Sequence, residues 1–200
     1  MSMPKTLLQM AGADQTANAL SNSVVVTIDQ QNEYLSGALA LTGIDQAMAE
    51  AKAVLVRARA AGTPIIHIVH KGSAGGPFDL SAERGQIADQ VSALAGEPLV
   101  EKTLPNSFAG TTLVTKLEDI GCTNLIITGF MTHLCVSATA RVALDLGLRT
   151  TIVSGATATR DLPSATGQGV VKADTVAEAT LAALADRFAT IVPTAQDLPD

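Results

Sequence analysis

Asn124-Leu-Ile-Ile-Thr-Gly-Phe-Met-Thr-His-Leu-Cys-Val-Ser-Ala-Thr-Ala-Arg-Val-Ala-Leu-Asp-Leu-Gly147 changes its hydrophobic period half-way along. Leu125 to Thr128 is a short apolar run, as a strand buried on both faces requires. Gly129 marks a turn. From about Thr132, Val136, Ala140, Ala143, Leu144 and Gly147 fall at i, i+4, i+7, i+8 and i+11, so they share one helical face. The stretch therefore predicts strand, turn and helix, with Cys135 in the first helical turn. Free N–H groups and the positive end of the macrodipole at that position favour a thiolate, which makes Cys135 a candidate nucleophile. An unpaired cysteine is equally at home as a small buried hydrophobe, so its company elsewhere in the chain decides.

Working outward, the same alternation recurs. Val24-Val-Val-Thr-Ile28 is β-branched throughout and reads as a central strand that ends at Asp29 and the polar loop Gln30-Gln-Asn-Glu-Tyr34. Ile44, Ala47, Met48, Ala51, Leu55 and Ala58 mark an amphipathic helix stopped by Gly62, and Pro64 opens a second strand through Val69. Lys71-Gly-Ser-Ala-Gly-Gly-Pro77 is a loop beyond a strand's carboxyl end, and it lacks the spacing of a nucleotide-binding glycine motif. A short helix is expected around Ile87 to Leu94, and a brief strand from Pro98 delivers Lys102. Thr103 to Thr111 forms a Pro- and Asn-bearing turn into a helix that ends at Ile120. Arg149 to Val153 is a fifth strand, Thr175-Val-Ala-Glu178 has the spacing of a capping box, and Ala189 to Val192 closes the chain as a sixth strand. Strict alternation predicts an α/β fold: a doubly wound, mostly parallel six-stranded sheet with helices on both faces and ligands at the strands' carboxyl ends.

Composition narrows the class. Two hundred residues fit one domain, 1–200, with 1–22 as an N-terminal arm. A content of 47% hydrophobic residues with only 2% aromatic means a core of Ala, Val, Leu and Ile. Net charge −6 and scattered Lys and Arg argue against nucleic acid as a partner. No run reaches the length of a membrane span. Cys122 and Cys135 are too few for a disulfide framework, so a reducing, cytoplasmic setting is the expectation.

Asp29, Lys102 and Cys135 each follow a separate strand. A cysteine nucleophile needs a base for its proton, a positive charge beside the sulfur and donors for the oxyanion, and one carboxylate, one ammonium and one helix start can supply them. Asp29-Gln-Gln-Asn-Glu-Tyr34, Lys102 with Asn106-Ser-Phe-Ala-Gly-Thr111, and Gly129-Phe-Met-Thr-His-Leu-Cys-Val136 occur in that order, and together they resemble the isochorismatase-like cysteine hydrolases, which include nicotinamidase and N-carbamoylsarcosine amidase. The resemblance spans nearly the whole chain. It implies an Asp29/Lys102/Cys135 triad, a non-proline cis peptide at Phe130–Met131, and an oxyanion hole made by the Met131 and Cys135 amides. It also implies a dimer or tetramer, no cofactor, and cleavage of a small amide or carbamoyl C–N bond through a thioester. Asn32, Tyr34 and Phe108 are the substrate contacts expected from the motif match, with packing as the alternative; Gln31, Thr132 and His133 are further candidate contacts, although Thr132 also suits a helix N-cap, and His70 is expected at the pocket mouth. A non-amide small molecule, or a catalytically idle protein that keeps the fold for binding, are the alternatives. The nicotinamidase branch holds a metal with an acid and histidines. Here His67 and His70 have no acid between Thr63 and Phe78, and residues three apart on a strand face opposite ways, so no metal is expected.

Overall fold

The computed structural model describes residues 3–200, folded as a parallel sheet between helical layers. In chain order the strands are β1 (Val24–Ile28), β2 (Ile65–His70), β3 (Leu99–Lys102), β4 (Asn124–Phe130), β5 (Arg149–Ala158), β6 (Leu162–Pro163), β7 (Val170–Val171) and β8 (Thr190–Val192). The helices are α1 (Leu7–Met10), α2 (Glu33–Ser36), α3 (Ile44–Ala61), α4 (Leu113–Ile120), α5 (Ser137–Asp145) and α6 (Ala173–Arg187). Six strands form one sheet in the order β3-β2-β1-β4-β5-β8, all neighbours parallel. The order reverses between β1 and β4, and α/β sheets open their ligand crevice at such a switch point.

Burial follows the two-residue period of the strands. Val25, Ile65, Ile126 and Val153 pack with Ala47, Met48, Ala51, Val54, Leu55 and Ala58 of α3 on one face. Val24, Val26, Ile28, Ile66, Ile68, Leu125 and Ile127 point the other way, onto Leu113 and Leu117 of α4, Ala140 and Ala143 of α5, and Leu184 of α6. The small side chains of α3 and α5 let helix and sheet approach closely, which the Ala-rich composition anticipates. The arm before β1 is tied in. The Asn18 amide donates to the carbonyls of Leu125 and Arg149, both at 2.9 Å, and the Thr63 hydroxyl donates to Leu20 O at 2.8 Å.

Several expectations are corrected. Ile87 to Leu94 holds only a 3-10 turn at Asp89–Val91, too few residues for a helix. The Thr175–Glu178 box lies inside α6, which starts at Ala173 with Lys172 as its N-cap. β5 runs to Ala158 rather than Val153, because a register shift against β4 between Ile127 and Gly129 carries the strand past Ser154-Gly155. β6 and β7 pair as a short antiparallel hairpin with no alternation to announce it. Cys135 sits in a π-helical turn, Thr132–Val136, ahead of α5, and not in the first turn of an α-helix.

Candidate active site

β1, β3 and β4 place the three candidate residues together. Asp29 leaves β1 in the left-handed region, with φ 52, its amide still donating to Ile68 O at 2.9 Å. Lys102 is the last residue of β3 and pairs with His70, the last of β2. The turn that carries Cys135 follows the Phe130–Met131 peptide, which is cis as the resemblance implies. Gly129 makes the approach possible: a Cβ there would lie 2.0 Å from Ile28 O, so only glycine lets β4 pass β1 at this point. Beyond it, the Leu134 and Val136 amides donate to Met131 O at 3.0 and 3.3 Å and close the turn.

The Lys102 ammonium lies 2.7 Å from Asp29 Oδ2 and donates to Cys135 Sγ at 3.3 Å, and all three side chains are buried. Lys102 is 2% exposed, and a buried ammonium is tolerated only because it is paired. Although Oδ2 touches the ammonium, neither Asp29 oxygen has a well-aligned hydrogen bond, which leaves lone pairs free to take a proton. Burial raises the Asp29 pKa, and the Lys102 charge opposes the rise. Burial also pushes the Cys135 thiol up to about 12, with the Asp29 charge adding and Lys102 subtracting. Burial and the Asp29 charge thus oppose the thiolate that a helix start would favour, and only Lys102 works for it.

Of the expected substrate contacts, His70 and Tyr34 adjoin the triad. His70 Nδ1 is 3.4 Å from Lys102 Nζ, and its pKa falls to about 4 through burial and the Lys102 charge. The Tyr34 hydroxyl is held protonated by burial and by the charges of Asp29 and Cys135. Phe108 packs in the same cluster as Cys135, on a loop docked by Ser107 N donating to Thr139 Oγ1 at 3.0 Å. Thr132 is buried with no partner for its hydroxyl, and Met131 takes the N-cap position suggested for it. His133 contacts Thr159 Oγ1 through Nδ1. Gln31 and Asn32 are both engaged with backbone. Gln31 Nε2 donates to His70 O at 2.9 Å and Gly85 O at 2.7 Å, and its Oε1 accepts from His70 N at 2.8 Å, so the amide is spent on backbone. The Asn32 amide donates to Glu83 O at 3.0 Å.

Two residues went unnoticed in the sequence. Phe78, at φ 59 in the glycine-rich loop, stacks edge-on against Tyr34 at 5.1 Å and His70 at 5.2 Å. Arg160 leaves the extended end of β5 with a buried Nε that has no partner, and its charge reaches both Tyr34 and His133. The bulge that lengthens β5 hid it. His67 faces away from His70. Its Nε2 contacts Glu97 Oε2 at 2.8 Å and its Nδ1 contacts Thr27 Oγ1 at 3.0 Å, on the far side of β2 from Lys102.

An isochorismatase-domain family model matches residues 23–196, which takes in all six strands of the sheet and every residue named above at the site. The chain belongs to the isochorismatase family of hydrolases. It is 35% identical to the secreted isochorismatase effector Isc1 of Verticillium dahliae over 92% of this chain and 94% of that one. It is 34% identical to a streptothricin hydrolase of Streptomyces noursei over 88% of this chain and 69% of that protein. Among solved structures, an isochorismatase from Pseudomonas putida superposes with TM-score 0.93 at 41% identity, covering 98% of this chain and 100% of that one. No helix of the described residues is long and apolar enough to cross a membrane. With one relative described as secreted, the family is not confined to the cytoplasm, and the expected compartment gains nothing from it.

Proposed function

We propose that this family member is a cysteine hydrolase that opens a C–N bond of a small amide or carbamoyl compound through a thioester on Cys135. The observation that supports it is the buried ammonium of Lys102, 2.7 Å from a carboxylate and 3.3 Å from a thiol. In this reading Asp29 takes the Sγ proton as sulfur bonds to the carbonyl carbon. The developing oxyanion is received by the Met131 and Cys135 amides. Collapse expels ammonia or an amine, which carries off the proton that Asp29 returns. Asp29 then deprotonates a water, hydroxide adds to the thioester, and the thiolate leaves and regains the proton. Lys102 balances whichever of Asp29 and Cys135 holds the negative charge at each step, so the pair never ionises twice without a counter-charge.

Amide chemistry draws support from a more distant relative, a ureidoacrylate amidohydrolase of Rhizobium rhizogenes, 29% identical over 63% of this chain and 66% of its own. The substrate contacts in this reading are Tyr34, Phe108, Thr132 and His133, with Arg160 added at the far side. The reading keeps a dimer or tetramer formed through the helices that flank the site. The test is release of ammonia from a panel of small amides, carbamoyl and ureido compounds, with Cys135→Ala as the blank. The Ala variant should fold as the parent does, by circular dichroism, and release nothing above background. A variant that keeps near-parental rates would remove sulfur from the mechanism.

A further inference from the structure

An ammonium has three protons, and Lys102 has three buried or half-buried acceptors around it. Asp29 Oδ2 is at 2.7 Å, Cys135 Sγ at 3.3 Å and His70 Nδ1 at 3.4 Å. The last is longer than the usual range of about 2.7–3.2 Å, a weaker contact than the other two. A lysine has no lone pair to offer, so Nδ1 must be the acceptor and the ring proton must sit on Nε2.

The ring does not reach this place by chance of rotamer alone. Strand register puts His70 directly beside Lys102, and Lys71 N donates to Lys102 O at 2.8 Å just beyond the pair. Gln31 grips the His70 backbone from both sides, accepting its N–H and donating to its carbonyl. Phe78 bears on the ring at 5.2 Å with its edge. A residue whose backbone is fixed by register and by Gln31, and whose ring meets Phe78 at its edge and Lys102 at its nitrogen, has the construction of a support rather than of a solvent-facing side chain.

We propose that His70 is a positioning residue for the triad: its neutral Nδ1 accepts a hydrogen bond from the Lys102 ammonium and so fixes the rotation that turns the other two N–H groups towards Asp29 and Cys135. Gln31 holds His70 in turn. The sequence reading gave both residues to the substrate, and the geometry moves them one step behind the reacting atoms. The ring stays neutral above about pH 4, since burial and Lys102 both resist its protonation. The charged and titratable groups around it are Lys102 from β3, with Asp29 after β1 and Cys135 before α5 on its far side, and Tyr34 of α2 beyond Phe78.

The kinetic arm of the test rests on the amidase reading, and the chemical arm does not. His70→Ala should lower kcat by about tenfold to a hundredfold while KM for the smallest amide substrate changes less than about twofold. His70→Asn, whose carbonyl oxygen falls near the place of Nδ1, should recover most of the loss. Independently, iodoacetamide should alkylate Cys135 at least about threefold more slowly in His70→Ala, return towards the parental rate in His70→Asn, and modify Cys122 at one rate in all three. A rise in KM with kcat unchanged makes His70 a substrate contact and overturns the proposal. So does an Asn variant no better than Ala, or Cys135 alkylation that ignores His70. If the parent hydrolyses no amide, the functional reading fails and the alkylation rates still decide whether His70 serves Lys102.

Discussion

Burial and the Asp29 charge push the Cys135 thiol well above its ordinary range, so the neutral thiol is the favoured resting form. The nearby carboxylate resolves this, because burial makes Asp29 a stronger base than a solvated aspartate and leaves its oxygens without aligned donors. Proton transfer coupled to attack is then the route that avoids a free thiolate. The pH dependence follows with a definite sign. A carboxyl whose pKa is raised loses its basic form as pH falls through that raised value, so the acid limb of kcat/KM should lie above the ordinary aspartate value of about 3.9. Asp29→Asn should cost about 10²- to 10⁴-fold in kcat/KM and abolish the limb in whatever activity remains. His70 titrates near 4, so the limb must also be measured in His70→Asn, where it should persist. An acid limb unchanged in Asp29→Asn would assign it to some other group. At this scale Asp29, Lys102 and Cys135 were legible, because each residue type stands at the end of a recognisable strand. The backbone contacts of Gln31 and Asn32 were not: Gly85 and Glu83 come from a loop whose course is set by tertiary packing, and the His70 backbone is reached from across the sheet's edge at the end of β2.

The elements that could be read in advance are those whose local preference agrees with their place in the sheet. Val24–Ile28 is β-branched and fully buried, and the six small or apolar residues marked in α3 all face one layer. What could not be read departs from a regular period. The β4/β5 shift at Ile127 to Gly129 and the π turn at Thr132–Val136 lie in succession, both within the stretch that delivers the cysteine; the cis peptide between them was anticipated only through the family resemblance, not from any period. Gly129 makes the point testable. With φ 124 and Ile28 O where a Cβ would be, Gly129→Ala must separate β4 from β1, and it should cost more than about 3 kcal/mol and most of the site's chemistry. Gly62 caps α3 at φ 69 with open space around it, so Gly62→Ala should cost only about 1 kcal/mol. Urea unfolding of the two variants gives the comparison. Equal losses would mean that the approach of β4 to β1 is not what fixes glycine at 129.

Across the whole molecule, two networks of buried titratable groups stand out on opposite sides of β2. One is the triad with His70. The other is His67 between Thr27 and Glu97, with Glu97 gripping Arg59 through both oxygens at 2.8 and 2.9 Å and so tying α3 to the turn ahead of β3. The Arg59 hydrogen bonds hold the Glu97 pKa at about 2, against an ordinary 4.5. A carboxyl depressed on folding contributes stability that is complete above its unfolded pKa and is lost as pH falls through the folded one, here from about 4.5 down to about 2. His67 acts with the same sign, since burial lowers its pKa and protonation in acid works against the folded state. The full linkage for Glu97 is on the order of 3 kcal/mol, an upper bound because its partner Arg59 keeps some contact with water. Glu97→Gln should therefore lower stability at pH 7 by about 1–3 kcal/mol, with the difference from the parent narrowing steadily below pH 4.5. Urea midpoints across pH 2.5–7 read this directly, and a difference that stays constant down to the acid end would mean that packing, not charge, is what Glu97 supplies.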